Sequence, residues 1–125
     1  TLNQLNPDMA SLIELSKEIG CNGYFVFTFD SDDKDVFICG RMFAPAIEIS
    51  EDPVTGNANG PLGGYLIHNK IIEVSGDTFE FTGEQGEAIN RVGKVHVKVS
   101  IKNSKPNIIQ ITGNAVSVFR TIISI

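Results

Sequence analysis

The stretch Asp52-Pro53-Val54-Thr55-Gly56-Asn57-Ala58 holds the residues of this 125-residue chain best suited to chemistry. Pro53 restricts the backbone of Asp52, Thr55 is a residue type that caps helices, and Gly56 opens a segment with a helical pattern. The first N–H groups of a helix have no partner within it, and that end carries a partial positive charge. A carboxylate or phosphate can dock there on backbone amides. A carboxylate at Asp52 is then placed to exchange a proton with a bound carbon acid, or to hold its amine or hydroxyl. Anchor and acid/base group share one short segment. Taken alone, the same residues are also ordinary turn chemistry, an Asp-Pro turn followed by a helix cap.

Other polar residues have simpler readings. Arg41 stands at the end of an apolar run, where it can be a surface charge at a strand end, pair with Glu48 or Glu51, or position the loop, and a structural role is expected. His68 lies near a helix end, where it favours the C-terminal carbonyls, and His96 sits on the polar phase of a strand. Gln85 and Arg91 fall between strands where solvent-facing polar residues are expected. The acidic run from Asp30 to Asp35 lacks the glycine and terminal glutamate of a calcium loop and reads as a solvated hairpin tip. Cys21 and Cys39 have no neighbour at metal-ligand spacing, so both are expected to be reduced core thiols, and no metal site is expected.

The elements that must position the Asp52 segment follow from periodicity. After Asn6-Pro7-Asp8, the residues Met9, Leu12, Ile13, Leu15 and Ile19 recur at helical spacing up to Gly20. Residues 23–30 and 35–43 are β-prone and flank a polar cluster, which predicts a hairpin. Residues 44–55 have no periodicity and are expected to be a loop. Residues 56–70 read as a helix, with Ala58, Leu62, Tyr65 and Leu66 on one face. Gly60, Gly63 and Gly64 are poor surface-helix residues and suit a helix buried closely against strands. Pro61 lacks an N–H and costs about 3 kcal/mol in a helix interior, which predicts a distorted first turn or a helix that starts after Gly56. Further strands are expected at 79–81, 92–101, 108–111 and 115–125. Val95, Val97 and Val99 alternate with polar residues as in a half-buried strand. The fold class is therefore α+β, with a curved, mostly antiparallel sheet wrapped around one central helix and a short outer helix.

Arg41-Met42-Phe43-Ala44-Pro45 followed by Glu51-Asp52-Pro53-Val54-Thr55-Gly56-Asn57-Ala58 resembles the R-x-F-A-P … E-D-P-V-T-G-S-A signature of the phenazine-biosynthesis (PhzF-like) isomerases. Their architecture is shared with diaminopimelate epimerase. The likeness extends to the Asn-Pro helix at the start, the Gln85-Gly86 pair, Arg91, and the closing segment with Gly113 and Ala115. It covers one lobe of a two-lobed family, so residues 1–125 are expected to be a single domain, the C-terminal lobe. The resemblance implies a cofactor-independent proton shift on a small carboxylic acid held in a cleft between two lobes. By that resemblance Asp52 is the catalytic residue of this lobe, and Thr55, Gly56, Asn57 and Ala58 bind the substrate carboxylate. The glutamate that removes the proton belongs to the N-terminal lobe in this family. Two positions depart from the pattern: Asn57 stands where the family usually has serine, and Pro61 where it tends to have a small residue.

Composition narrows the partners. With 42% hydrophobic and 20% charged residues the chain has the make-up of one ordinary globular domain. Its net charge of −5, with scattered lysines and arginines, argues against nucleic acid. No apolar run approaches the ~20 residues of a membrane span, and no secretion signal opens the chain, so no membrane contact and a cytoplasmic setting are expected. The start at Thr1 and the apolar end at Ile125 suggest a processed product or a fragment. The expected partners are the small acid, an N-terminal lobe from the same or a separate chain, and a second copy in a homodimer. Two further readings stand beside the isomerase lobe: a non-catalytic module that kept the anion-holding helix, and a structural remnant of the fold.

Overall fold

The computed structural model describes residues 1–124. A single helical turn at Leu2–Gln4 precedes the outer helix α1, Met9–Ile19. Asp8 caps α1, its carboxylate accepting from the N–H groups of Ala10 and Ser11 at 3.0 and 3.2 Å. These bonds and the Ser11 hydroxyl hold the Asp8 carboxyl below its ordinary range. The helix stops at Gly20, whose φ of 70° is the left-handed conformation of a helix C-terminus. Tyr24 ties α1 to the sheet by donating its hydroxyl to the Leu12 carbonyl at 3.0 Å.

Six strands form one sheet: β1 Tyr24–Thr28, β2 Ile38–Ala44, β3 Ile49–Asp52, β4 Thr78–Gln85, β5 Gly93–Lys102 and β6 Lys105–Thr112. The order is β1-β2-β4-β5-β6, and every neighbouring pair is antiparallel except β2 and β4. The expected hairpin is β1–β2. Strand β3 lies inside the stretch expected to be a loop, preceded by a helical turn at Pro45–Ile47. It escaped the periodic pattern because it is short, its pairing with β2 is broken by a shift between Met42 and Ala44, and the side chain it buries against Arg41 is Glu51 rather than an apolar one.

The topology has one local consequence. Strand β1 occupies one edge of β2 along residues 39–43, so β4 and β3 share the other. Strand β4 runs parallel to β2 and ends with Gln85 opposite Gly40; β3 runs antiparallel and ends with Asp52 opposite Met42. The two strands approach each other along one edge of β2, and their last residues meet beside Arg41.

From that meeting point the chain enters the central helix α2, Gly56–His68. Its buried face is Asn59, Gly60, Leu62, Gly63, Leu66 and Ile67, packed on Val95, Val97 and Val99 of β5, Phe81 of β4 and Ile38 of β2. Gly63 is required by this approach: a Cβ there would come within 2.9 Å of Val99 and 3.1 Å of Phe81. The expected displacement of the helix start by Pro61 does not occur. The helix begins at Gly56 and runs through Pro61; the proline ring lies on the open face beside Ala58 and Tyr65, and tertiary packing of the opposite face outweighs the lost backbone bond.

Two other expectations are corrected. Residues 115–124 form no strand: Val116, Val118, Phe119, Ile122 and Ile123 are 80–94% exposed. A β-prone segment becomes a strand only when a sheet edge and an apolar surface receive it, and no described residue does so; Ile125, the end of that expected strand, lies outside the described residues. Cys21 and Cys39 are free thiols but half-buried rather than core residues, and burial raises the Cys39 thiol above its ordinary pKa.

Gly63→Ala is expected to lower stability by about 1–2 kcal/mol despite the better helix propensity of alanine, since the added methyl overpacks a core with no room to shift. Thermal or urea unfolding checks it; an unchanged or raised midpoint would show that Val99 and Phe81 give way freely.

Candidate active site

The site is built where β3 ends, α2 begins and β4 stops. The loop before it is anchored by charge: Arg41 Nε donates to Glu51 Oε1 at 3.0 Å and Nη2 to Oε2 at 2.8 Å, a two-pronged pair. Both side chains are buried, 9% and 8% exposed. The remaining guanidinium nitrogen, Nη1, donates to the carbonyls of Leu2 and Leu5 at 3.1 and 2.8 Å, and the group lies 4.8 Å from the Phe43 ring centre. Of the two partners expected for Arg41, the structure selects Glu51. The role is structural: one cation joins β2, β3 and the start of the chain.

Side chains alternate along a strand, so Asp52 faces away from that pair, toward α2. The Thr55 hydroxyl donates to Asp52 Oδ2 in a short hydrogen bond. Thr55 is the residue at the N-cap of α2, yet its side chain makes no capping bond. The Thr55 carbonyl instead takes the N–H groups of Ala58 and Asn59 at 3.2 and 3.1 Å. Among the described residues neither the Gly56 nor the Asn57 N–H makes a hydrogen bond. Of the amides expected to be open, those two remain, and the Ala58 N–H closes the first turn.

Behind this segment lies a buried polar group whose place in the sequence suggested solvent, while the family resemblance left it a part in supporting the cleft. Gln85 is 2% exposed. Its Oε1 accepts from Thr55 N–H at 3.0 Å and from Asn59 Nδ2 at 2.5 Å; its Nε2 donates to the Asp52 carbonyl at 3.3 Å and to Thr55 Oγ1 at 3.4 Å. Asn59, fully buried, also donates to the Thr55 carbonyl at 3.0 Å. A signal for both was present: Gln85 continues the inward phase of Phe79, Phe81 and Gly83, and Asn59 that of Leu62, Gly63 and Leu66. A polar residue on an apolar phase marks a buried network. Gly86, at φ 83°, completes the corner, because a side chain there would strike the Arg91 and Pro53 carbonyl oxygens.

Beside the start of α2 is an apolar groove of about 370 Å³ lined by Phe25, Phe27, Ala58, Pro61, Leu62 and Tyr65. A wider depression of about 660 Å³, lined in part by Phe37, Ile71, Glu80 and His96, lies at the other end of α2 and shares no residue with the Asp52–Ala58 segment. His96 there rests 3.3 Å from Glu80, and His68 ends α2; neither joins the site. Asp33, in the acidic hairpin tip, pairs with Lys94 at 2.6 Å, which lowers the Asp33 carboxyl and raises the Lys94 ammonium. Among the described residues no cluster of His, Cys, Asp and Glu is placed to hold a metal, and no helix is long and apolar enough to cross a membrane.

Comparison with known proteins agrees with this fold. The phenazine biosynthesis-like protein family (PhzC-PhzF) matches residues 1–121. The chain belongs to the phenazine biosynthesis-like family. An uncharacterized isomerase of Clostridium acetobutylicum is 54% identical over 121 residues, 97% of this chain and 40% of the relative. The uncharacterized isomerase YddE of Escherichia coli is 43% identical over 118 residues, 94% of this chain and 39% of that protein. The crystal structure of the Bacillus anthracis phenazine biosynthesis protein of the PhzF family superposes with a TM-score of 0.78 at 31% identity, covering 97% of this chain and 42% of that one. This family member thus spans about two fifths of the length of these relatives, of which the Clostridium and Escherichia proteins carry the name isomerase.

Glu51→Gln is expected to lower stability by about 3–5 kcal/mol, because it leaves the Arg41 cation buried without its counter-charge; Arg41→Met with Glu51→Leu should recover much of the loss. Urea unfolding of the three proteins checks this. A single variant as stable as the parent would show that the pair contributes nothing net.

Proposed function

We propose that this chain is the carboxylate-holding lobe, the C-terminal one, of a cofactor-independent isomerase that shifts a proton on a small carboxylic acid. The observation that carries the reading is the pairing of Thr55 with Asp52: the hydroxyl is turned to the carboxylate and away from the helix, and the Gly56 and Asn57 amides stand open beside it. A substrate carboxylate would take those two N–H groups with support from the helix dipole. Asp52 would hold or exchange a proton at the neighbouring polar centre, its orientation set by Thr55. The groove along Ala58, Pro61 and Tyr65 offers the substrate an apolar wall. Asn57, in place of the family's serine, adds an amide donor on a longer side chain and shifts the preference among acids.

One wall does not make this reaction. A base must sit against the carbon while the anion is held elsewhere, and electrostatic help is weak in an open, wet half-site. We infer that the functional state covers this face with a second lobe, from the same gene, a cleaved chain or a homologous subunit, and that this lobe brings the base.

Two outcomes are expected. In a complete two-lobed protein, Asp52→Asn should leave the unfolding midpoint within a few degrees of the parent while turnover falls on the order of 10²–10⁴-fold; unchanged turnover would reduce Asp52 to a turn residue. The purified 125-residue chain, free of any second polypeptide, should not incorporate solvent deuterium into β,γ-unsaturated or α-amino acids, and restoring the complementary lobe should switch incorporation on. Mass spectrometry reads it, and exchange by the lone chain at an enzymatic rate would overturn the half-site reading.

A further inference from the structure

We propose that Gln85 is a positioning residue whose side-chain amide keeps the start of α2 from being capped by its own Thr55, so that the Gly56 and Asn57 N–H groups stay available. That a substrate carboxylate uses those groups rests on the function proposed above; that Gln85 keeps them open does not.

A threonine at an N-cap ordinarily turns its oxygen to the N–H of the second or third helical residue, here Asn57 or Ala58. In this structure it does neither. To cap, Thr55 Oγ1 needs a free lone pair aimed at the helix. The hydroxyl proton is committed to Asp52, and the Gln85 Nε2 donates to the same oxygen at 3.4 Å. Gln85 also grips the Thr55 backbone, accepting its N–H at 3.0 Å. Both the rotamer of Thr55 and the acceptor capacity of its oxygen are thereby controlled from β4. Asn59 completes the clamp from the helix side, with its two donor hydrogens on Gln85 Oε1 and the Thr55 carbonyl. Its own Oδ1 has no partner among the described residues and abuts the Cα of Gly83, so this amide accepts an unmade bond in order to face Gln85. A merely structural glutamine at the end of β4 would not need to reach the N-cap hydroxyl.

The test uses Gln85→Met, which keeps the volume and removes the amide, alone and with Thr55→Val, which removes the Thr55 hydroxyl. Amide hydrogen exchange at Asn57 and Ala58 is read by NMR, together with the shifts that succinate induces at Gly56 and Asn57. In Gln85→Met, exchange at Asn57 should slow by about five- to tenfold as Thr55 swings onto the helix, and the succinate response should weaken. Adding Thr55→Val should return Asn57 exchange to the parent rate. Exchange at Asn57 unchanged or faster in Gln85→Met, or slowed but not restored by Thr55→Val, overturns the proposal. Should Gln85→Met fail to fold, Gln85→Glu replaces it, since a carboxylate still accepts from Thr55 and Asn59 but donates nothing to Oγ1, and the same slowing and rescue are expected. Exchange behaving as stated in a parent chain with no succinate response supports the role of Gln85 and defeats the carboxylate reading alone.

Discussion

Two strands converging on one edge of β2 set the problem that the rest of the site answers. Strands β3 and β4 run toward each other and stop at Asp52 and Gln85, opposite Met42 and Gly40. Where they stop, the backbone ladder is interrupted, and buried peptide groups must find other partners. The Gln85 side chain supplies them, because a primary amide presents a donor and an acceptor as a peptide group does. It bonds the Asp52 carbonyl and the Thr55 N–H, and so carries the hydrogen bonding of the sheet across the gap and into the first turn of α2. The direction in which α2 leaves the sheet follows from this.

Adjacent acidic residues, Glu51 and Asp52, have opposite tasks for the same geometric reason. Strand alternation sends Glu51 to Arg41 on one face and Asp52 to Thr55 on the face toward α2. The buried ion pair is weak as a source of stability compared with an apolar substitute, but it binds three segments into one register. With the strand held by Glu51, the Asp52 carboxylate, only partly buried, is left to receive the Thr55 hydroxyl.

The central helix shows how packing overrides local preference. A sequence with Gly60, Gly63 and Gly64 in thirteen residues, and Pro61 among them, is a poor helix in isolation. It forms because the absent side chains let the backbone approach Val99 and Phe81, and because Leu62 and Leu66 fill the space between strands. Its opposite face, with Pro61 and Tyr65, is left open beside the helix start.

By itself the sequence determined the fold class, both helices, the β1–β2 hairpin and the alternation of β5, since each rests on an apolar period that burial on one side imposes. It also singled out the Asp52–Ala58 segment as the candidate site, through a turn-and-cap pattern that gains its weight from the Arg41–Pro45 flank. Only the tertiary structure decided what depends on partners distant in the chain. It made a strand of residues 49–52, whose Glu51 is a buried charge answered by Arg41, and left residues 115–124 unpaired, where the residue types favour a strand but no surface among the described residues receives it. It brought Gln85 from an expected solvent position to the centre of the site, 30 residues along the chain from Thr55, because the meeting of β3 and β4 on one edge is a matter of topology, which no local pattern encodes.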